Sequence, residues 1–234
     1  MINLKYFIKG IVCSKKFDSP AIALGASFIA IGALLKNLGF NIQESIFSTF
    51  LTYALPGSLV MAESMLIGAS LVNIFLAVWL VNSRLFPMTV SIMPLLKHDS
   101  QPRWKYYLSC HFVAVSSWLI LKSNYEEIDR KYRIDFWIGI GTATWLIAIF
   151  STVLGFYAAD FLSKDMIIGL AIVNPIYFMC AMIGVMITIQ LSSAIIVGAF
   201  LCQIFYFFSP EWCVLLGGLV AGSIAYFIGE VYDS

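Results

Sequence analysis

Charge is scarce in this chain. Of its 234 residues only 12% are Asp, Glu, Lys or Arg, against 61% hydrophobic, and the mean hydropathy is +0.91. So few charges cannot cover the surface of a soluble domain, which excludes a water-borne globular protein and points to a polytopic membrane protein. An excess of one sign is missing too: the net charge is +1 and the pI about 7.6, leaving no basic surface for nucleic acid. Cysteine is sparse and odd in number, with Cys13, Cys110, Cys180, Cys202 and Cys213 mostly inside apolar runs and never in CxxC spacing. There a thiol packs as a small hydrophobe, so neither a disulfide framework nor a metal site is expected. GxSxG, HExxH, Walker and dinucleotide fingerprints are absent. No catalytic residue and no cofactor is therefore expected, and Asp160 and Asp165 read as helix-flanking loop residues.

Long apolar runs are what the chain has. They cover about 20–38, 45–65, 66–81 with 85–96, 105–121, 134–157, 166–186, 188–206 and 211–229. These predict an all-α integral membrane helical bundle of seven or eight membrane segments, some of them discontinuous. The stretch 105–121 is the weakest, since it holds Ser109, Cys110, His111, Ser116 and Ser117; it reads as a bundle-facing span or as an interfacial segment. Lys5, Lys9, Lys15 and Lys16 precede the first run against one acid, Asp18. The run from Pro20 to Leu38 is long enough to span and no small-residue cleavage site follows it, which predicts a retained first helix and a cytoplasmic N-terminus. Phe7, Ile8, Ile11 and Val12 recur at helical spacing, so residues 1–19 read as a cytoplasmic interfacial segment and 20–234 as a single transmembrane domain. Lys97, Arg103 and Lys105 form the next basic cluster, expected on the same side, with the loop Lys122 to Asp135 facing outward.

The stretch from Leu66 to Leu96 is too long for one span and too short for two. Some thirty residues make ~45 Å of helix against a ~30 Å hydrocarbon core. Asn82-Ser83-Arg84 interrupts it, and Pro87 and Pro94 follow. Two further interruptions are expected at Pro56-Gly57-Ser58 and Asn174-Pro175, where proline removes a donor and frees carbonyls. Freed backbone groups at membrane depth need protein or a wet cavity around them, so the three breaks predict a central binding site. Arg84 offers a planar fork of donors suited to a carboxylate. Asn82 is its hydrogen-bonding neighbour, and Glu63 its candidate ion-pair partner. Pro56, Gly57 and Ser58 would expose helix-end backbone to the same cavity, with Asn174 and Pro175 on the opposite wall. His111 is a candidate proton relay, but Cys110 beside it points elsewhere on a helix and forms no chelate.

Gly57-Ser58 after an apolar run, then Val81-Asn82-Ser83-Arg84, then Ser91 and Pro94, resemble the AzlC-type large subunit of branched-chain amino-acid exporters. The late pair Gly169-Leu170 with Pro175 falls where that family has its C-terminal motif, so the resemblance covers about residues 20–180. The family's Gln falls at Val60 here, its His at Leu85, its acidic pair at Cys110-His111 and its late Asp at Ala171. Asn82 and Arg84 carry over. The resemblance implies export of small apolar amino acids, an ion or proton as driver, a bacterial cytoplasmic membrane, and a small hydrophobic AzlD-type partner subunit. Replaced polar positions leave a second reading, a membrane scaffold or assembly subunit that no longer transports. A third is an integral-membrane enzyme on a lipid-linked substrate, working around His98, Asp99 or His111.

Overall fold

A computed structural model describes residues 2–14, 20–83, 85–185, 189–208 and 213–232. All its regular elements are helical: α1 (Leu4–Ser14), α2 (Pro20–Asn37), α3 (Ile42–Leu51), α4 (Leu55–Leu66), α5 (Leu71–Asn82), α6 (Leu85–Leu96), α7 (Arg103–Cys110), α8 (Val115–Asn124), α9 (Arg133–Ala158), α10 (Lys164–Val185), α11 (Ile189–Phe208) and α12 (Cys213–Tyr232). In lipid the backbone must bond to itself, and a helix does so locally. Among the described residues two stretches are long and apolar enough to cross a membrane, Pro20–Asn37 and Arg130–Ala158, and α5 with α6 makes a third if the pair, bent by 41°, is one span. Seven or eight spans are therefore not shown. Arg84 lies outside the described residues, as do the side chains of Asn174 and Pro175.

Helix α9 is the ruler of the fold. Its 26 residues make ~39 Å of helix, enough to cross with a turn to spare. An ion pair marks each end: Lys105 Nζ lies 2.6 Å from Asp135 Oδ1, and Lys36 Nζ lies 2.6 Å from Asp160 Oδ2. Helix α1 runs along the first half of α9, with the backbones touching at Gly10 and Gly139, and the Asn3 N–H donates to Asp135 Oδ2 at 3.0 Å. Helix α2 runs along the second half, where Gly32 faces the carbonyl of Thr152 and Gly155 the carbonyl of Ile29. Glycine at these points lets two backbones meet, the main source of helix adhesion where lipid removes the hydrophobic drive. Helix α10 packs on α2, with Ser27 Oγ donating to the Leu170 carbonyl at 3.2 Å. Helices α11 and α12 pack on each other.

Two of the expected membrane segments turn out to be hairpins that enter and return. Helix α3 starts at the Asp160 end, after a turn at Gly39 (φ +86°) and an Asn41–Glu44 capping box. It runs inward past Thr152, whose Oγ1 is 3.0 Å from Thr49 Oγ1. The chain breaks at Thr52–Ala54, and α4 leads back out to a turn at Gly68 (φ +69°). Helix α5 descends antiparallel to α4, so that Gly57 at the start of α4 meets Asn82 at the end of α5. Helix α6 continues to the Asp135 end, where Arg133 and Arg130 donate to the carbonyls of Leu95 and Pro94. The segment 105–121 is likewise not a span. Helix α7 enters from the Asp135 end, the chain breaks at 111–114, and α8 returns beside α1.

That geometry corrects the expected topology. Asp135 binds both Lys105 and the N-terminal Asn3, and Glu127 lies 3.7 Å from Lys9. The loop Lys122 to Asp135 therefore lies at the same end as the N-terminus and the 97–105 cluster. Counting 105–121 as a crossing inverted the loop; its ten-residue and eight-residue arms are too short to cross.

Candidate functional site

The tips of the two hairpins meet about midway along α9, and Trp145 holds both. Its indole N–H donates to the Phe50 carbonyl at 3.3 Å, and its ring packs on Phe50 of the first hairpin and on His111 and Phe112 of the second, with centroids 4.7, 6.0 and 6.3 Å away. Twelve residues separate Trp145 from Arg133, or ~18 Å of helix, so the junction sits near the middle of α9. Tyr53 and His111 face each other with centroids 6.4 Å apart. Tyr53, Leu55 and Ala114 share one buried cluster with Phe28 and Ala148.

The hairpins are built alike. In each, an extended alanine starts the returning helix: Ala54 (φ −146°, ψ 106°) before α4 and Ala114 (φ −140°, ψ 161°) before α8. At a spacing of sixty residues Ala54 and Leu59 recur as Ala114 and Leu119, with Leu55 and Val60 set against Val115 and Ile120, while Pro56-Gly57 aligns with Ser116-Ser117. The hairpins enter from opposite ends of α9, which is an inverted arrangement. The repeated tripeptide Gly25-Ala26-Ser27 and Gly68-Ala69-Ser70 marks no such relation. The first packs α2 against α9 and α10, and the second is a turn whose Ser70 caps α5.

The three expected interruptions fare differently. The first lies at 52–54, four residues early: Pro56 sits in the first turn of α4, where its missing N–H costs nothing. Ser58 is fully buried and donates to the carbonyls of Thr52 and Ala54, at 3.4 and 3.3 Å, so its hydroxyl satisfies the break. The second lies where expected, between Asn82 and Leu85. At Asn174-Pro175 there is no interruption, because α10 runs unbroken through both positions.

Of the site residues read from sequence, the structure brings together Pro56, Gly57, Ser58 and Asn82. A Cβ on Gly57 would land 2.5 Å from Asn82 Nδ2 and 2.7 Å from Oδ1. Asn82 Oδ1 is buried and accepts no hydrogen bond. Glu63 lies exposed on α4, roughly 9 Å of helix beyond Gly57. Sequence reasoning missed Tyr53, Trp145 and Ser116, although the sixty-residue spacing was a signal that could have found the tips. Gly57→Ala is expected to cost about 1–3 kcal/mol by overpacking, and Asn82→Ala in the same chain to restore most of it. Melting of the purified single and double variants checks this.

The sequence profile of the family described as AzlC protein matches residues 19–162, more than half of the chain and the whole of α2 to α9. The chain belongs to the AzlC family. That family is associated with branched-chain amino-acid transport and is not an enzyme family, which agrees with a membrane protein of apolar helices. The matched range ends before α10, so the late Gly169-Leu170 motif and Pro175 fall outside it. No curated protein and no solved structure matches the chain.

Proposed function

We propose that this AzlC-family chain exports small apolar amino acids, of the branched-chain kind, from the bacterial cytoplasm, with an ion or proton as driver and a small hydrophobic AzlD-type subunit as partner. The observation that carries the reading is the pair of broken hairpins meeting near the middle of α9 from opposite ends. A site made of helix breaks at the midplane between inverted elements is how secondary transporters hold a polar group in lipid. Arg84, at the α5–α6 break, would bring a cation to this depth, with Asn82 beside it; Asn174 and Pro175 keep their expected place on a facing wall as part of the proposal. Residues 20–234 then act as one transport domain and 1–19 as its cytoplasmic segment. Nine of the fourteen Lys and Arg residues support a cytoplasmic Asp135 end: two on α1, three at 97–105 and four at 122–133.

Efflux of preloaded radiolabelled leucine, valine and methionine tests the reading, in cells making the chain with and without an AzlD-type subunit. Efflux is expected to rise above background, and Arg84→Ala to bring it back down. Background efflux from folded, membrane-inserted protein in both settings would sink it.

A further inference from the structure

We propose that the cleft between the C-terminal half of α6 and the turn before α9 holds one monoanionic phospholipid with hydroxyls on its headgroup, of the phosphatidylglycerol kind. The proposal needs only that α9 spans a bilayer, so it stands apart from what is transported. The cleft is a cavity of about 780 Å³, within the ~300–1,000 Å³ of small-molecule sites. It lies at the Asp135 end, where Arg130 and Arg133 tie the last carbonyls of α6 to the start of α9. Its wall changes character along α6. Val90, Met93 and Pro94 are apolar, and Lys97 follows them on the same face, its N–H still donating to the Met93 carbonyl at 2.9 Å. Seven residues, or ~10 Å of helix, separate Val90 from Lys97. Because α6 runs out toward the Asp135 end, the apolar part is the deeper one. That is the order of an acyl chain beneath a headgroup.

Charge chooses the headgroup. Lys97 and Asp99 are exposed at the rim, and among the described residues neither has an ion-pair partner. Arg130 spends one donor on the Pro94 carbonyl, at 3.5 Å, and a guanidinium has five. His98 Nδ1 is taken up by the Ser100 hydroxyl at 2.8 Å. Counting His98 as neutral, two cations and one acid leave the cleft at +1. A single phosphodiester neutralises that charge, and Lys97 and Arg130 hold the donors for its oxygens. Basic pockets of this kind at the membrane surface favour anionic lipid. Acceptors are left over as well. Pro94 has no N–H to give the Val90 carbonyl one turn back, and the Asp99 carboxylate only accepts. Headgroup hydroxyls suit both. A zwitterionic lipid would leave the +1 uncompensated, and a free phosphate would leave the apolar wall bare.

Thermal shift of the purified full chain in detergent tests the site, titrated with dioleoyl phosphatidylglycerol, dioleoyl phosphatidylcholine or glycerol 3-phosphate. Phosphatidylglycerol is expected to raise the melting temperature, and the other two to leave it unchanged. Lys97→Gln and Arg130→Gln are each expected to weaken phosphatidylglycerol about fivefold, the worth of one basic residue at an anionic surface. Lys131→Gln is the control. That neighbouring cation lies over the Tyr132 ring and outside the cleft, so its loss is expected to leave the affinity alone. An equal response to phosphatidylcholine would overturn the charge argument, and so would a Lys131→Gln loss as large as that of Lys97→Gln. A shift from glycerol 3-phosphate as large as the lipid's would overturn the lipid in favour of a soluble phosphate.

Discussion

Lys105→Met is expected to remove most of the folded protein. The Lys105–Asp135 pair is 0% and 1% exposed, with Gln101 Oε1 accepting from Lys105 Nζ at 2.8 Å and the Asn3 N–H donating to Asp135. Deleting one partner of a buried pair strands the other charge, at a cost of about 3–5 kcal/mol. Folded domains hold only ~5–15 kcal/mol in reserve, so the loss is a large part of the total. Joining α1, α7 and α9 at one point, the pair also takes the second hairpin with it. Lys105→Met combined with Asp135→Leu is expected to recover part of the loss and not all, because Gln101 Oε1 and the Asn3 N–H lose their partner. Size-exclusion profiles and melting temperatures in detergent read both effects. A Lys105→Met protein as stable as its parent would show that the pair contributes nothing.

Gly155→Leu is expected to separate α2 from α9. A Cβ at Gly155 would coincide with the Ile29 carbonyl, and one at Gly32 with the Thr152 carbonyl. Side chains can rotate away from a clash, but backbone carbonyls inside two helices cannot, so the cost sits at or above the upper end of the ~1–3 kcal/mol typical of overpacking. Gly169→Ala is the control. Nothing lies within 4 Å of its Cβ position, and alanine in a helix is better than glycine by ~1 kcal/mol, so that variant should melt at or slightly above the parent. If Gly155→Leu melts with the control, the close approach of α2 and α9 is wrong.

Helix content and membrane class were legible because hydropathy reports them directly. The α5–α6 break was legible because Asn82-Ser83 is polar inside an apolar run. What was not legible is direction. An apolar run of twenty residues reads the same whether it crosses or bends back on itself, and 45–65 folds into α3 and α4 around a break of three residues. The residues at that break, Thr52-Tyr53-Ala54, carry no charge and no proline, so nothing local announced it. Pro56 did draw the eye, two positions inside the helix it starts. Asn174-Pro175 misled for the opposite reason: α10 continues through a proline, as membrane helices do when neighbours compensate. Lys105 was read only as part of the basic cluster with Lys97 and Arg103, because its partner, Asp135, lies thirty positions away, beyond any local pattern.

The order in which the chain is made gives the hairpins a history. Helices α2 and α9 are long and apolar enough to enter lipid on their own account. The α7–α8 hairpin is not, with Arg103, Lys105 and three buried serines in two short helices. It leaves the ribosome before Asp135 and Trp145 exist to receive it. The first hairpin waits longer still, since Thr49 and Phe50 bond to α9 across 103 and 95 residues. Both hairpins can make their contacts with α9 only after α9 has been synthesised. The centre of the fold is therefore closed by contacts that the chain up to the end of α8 cannot make alone.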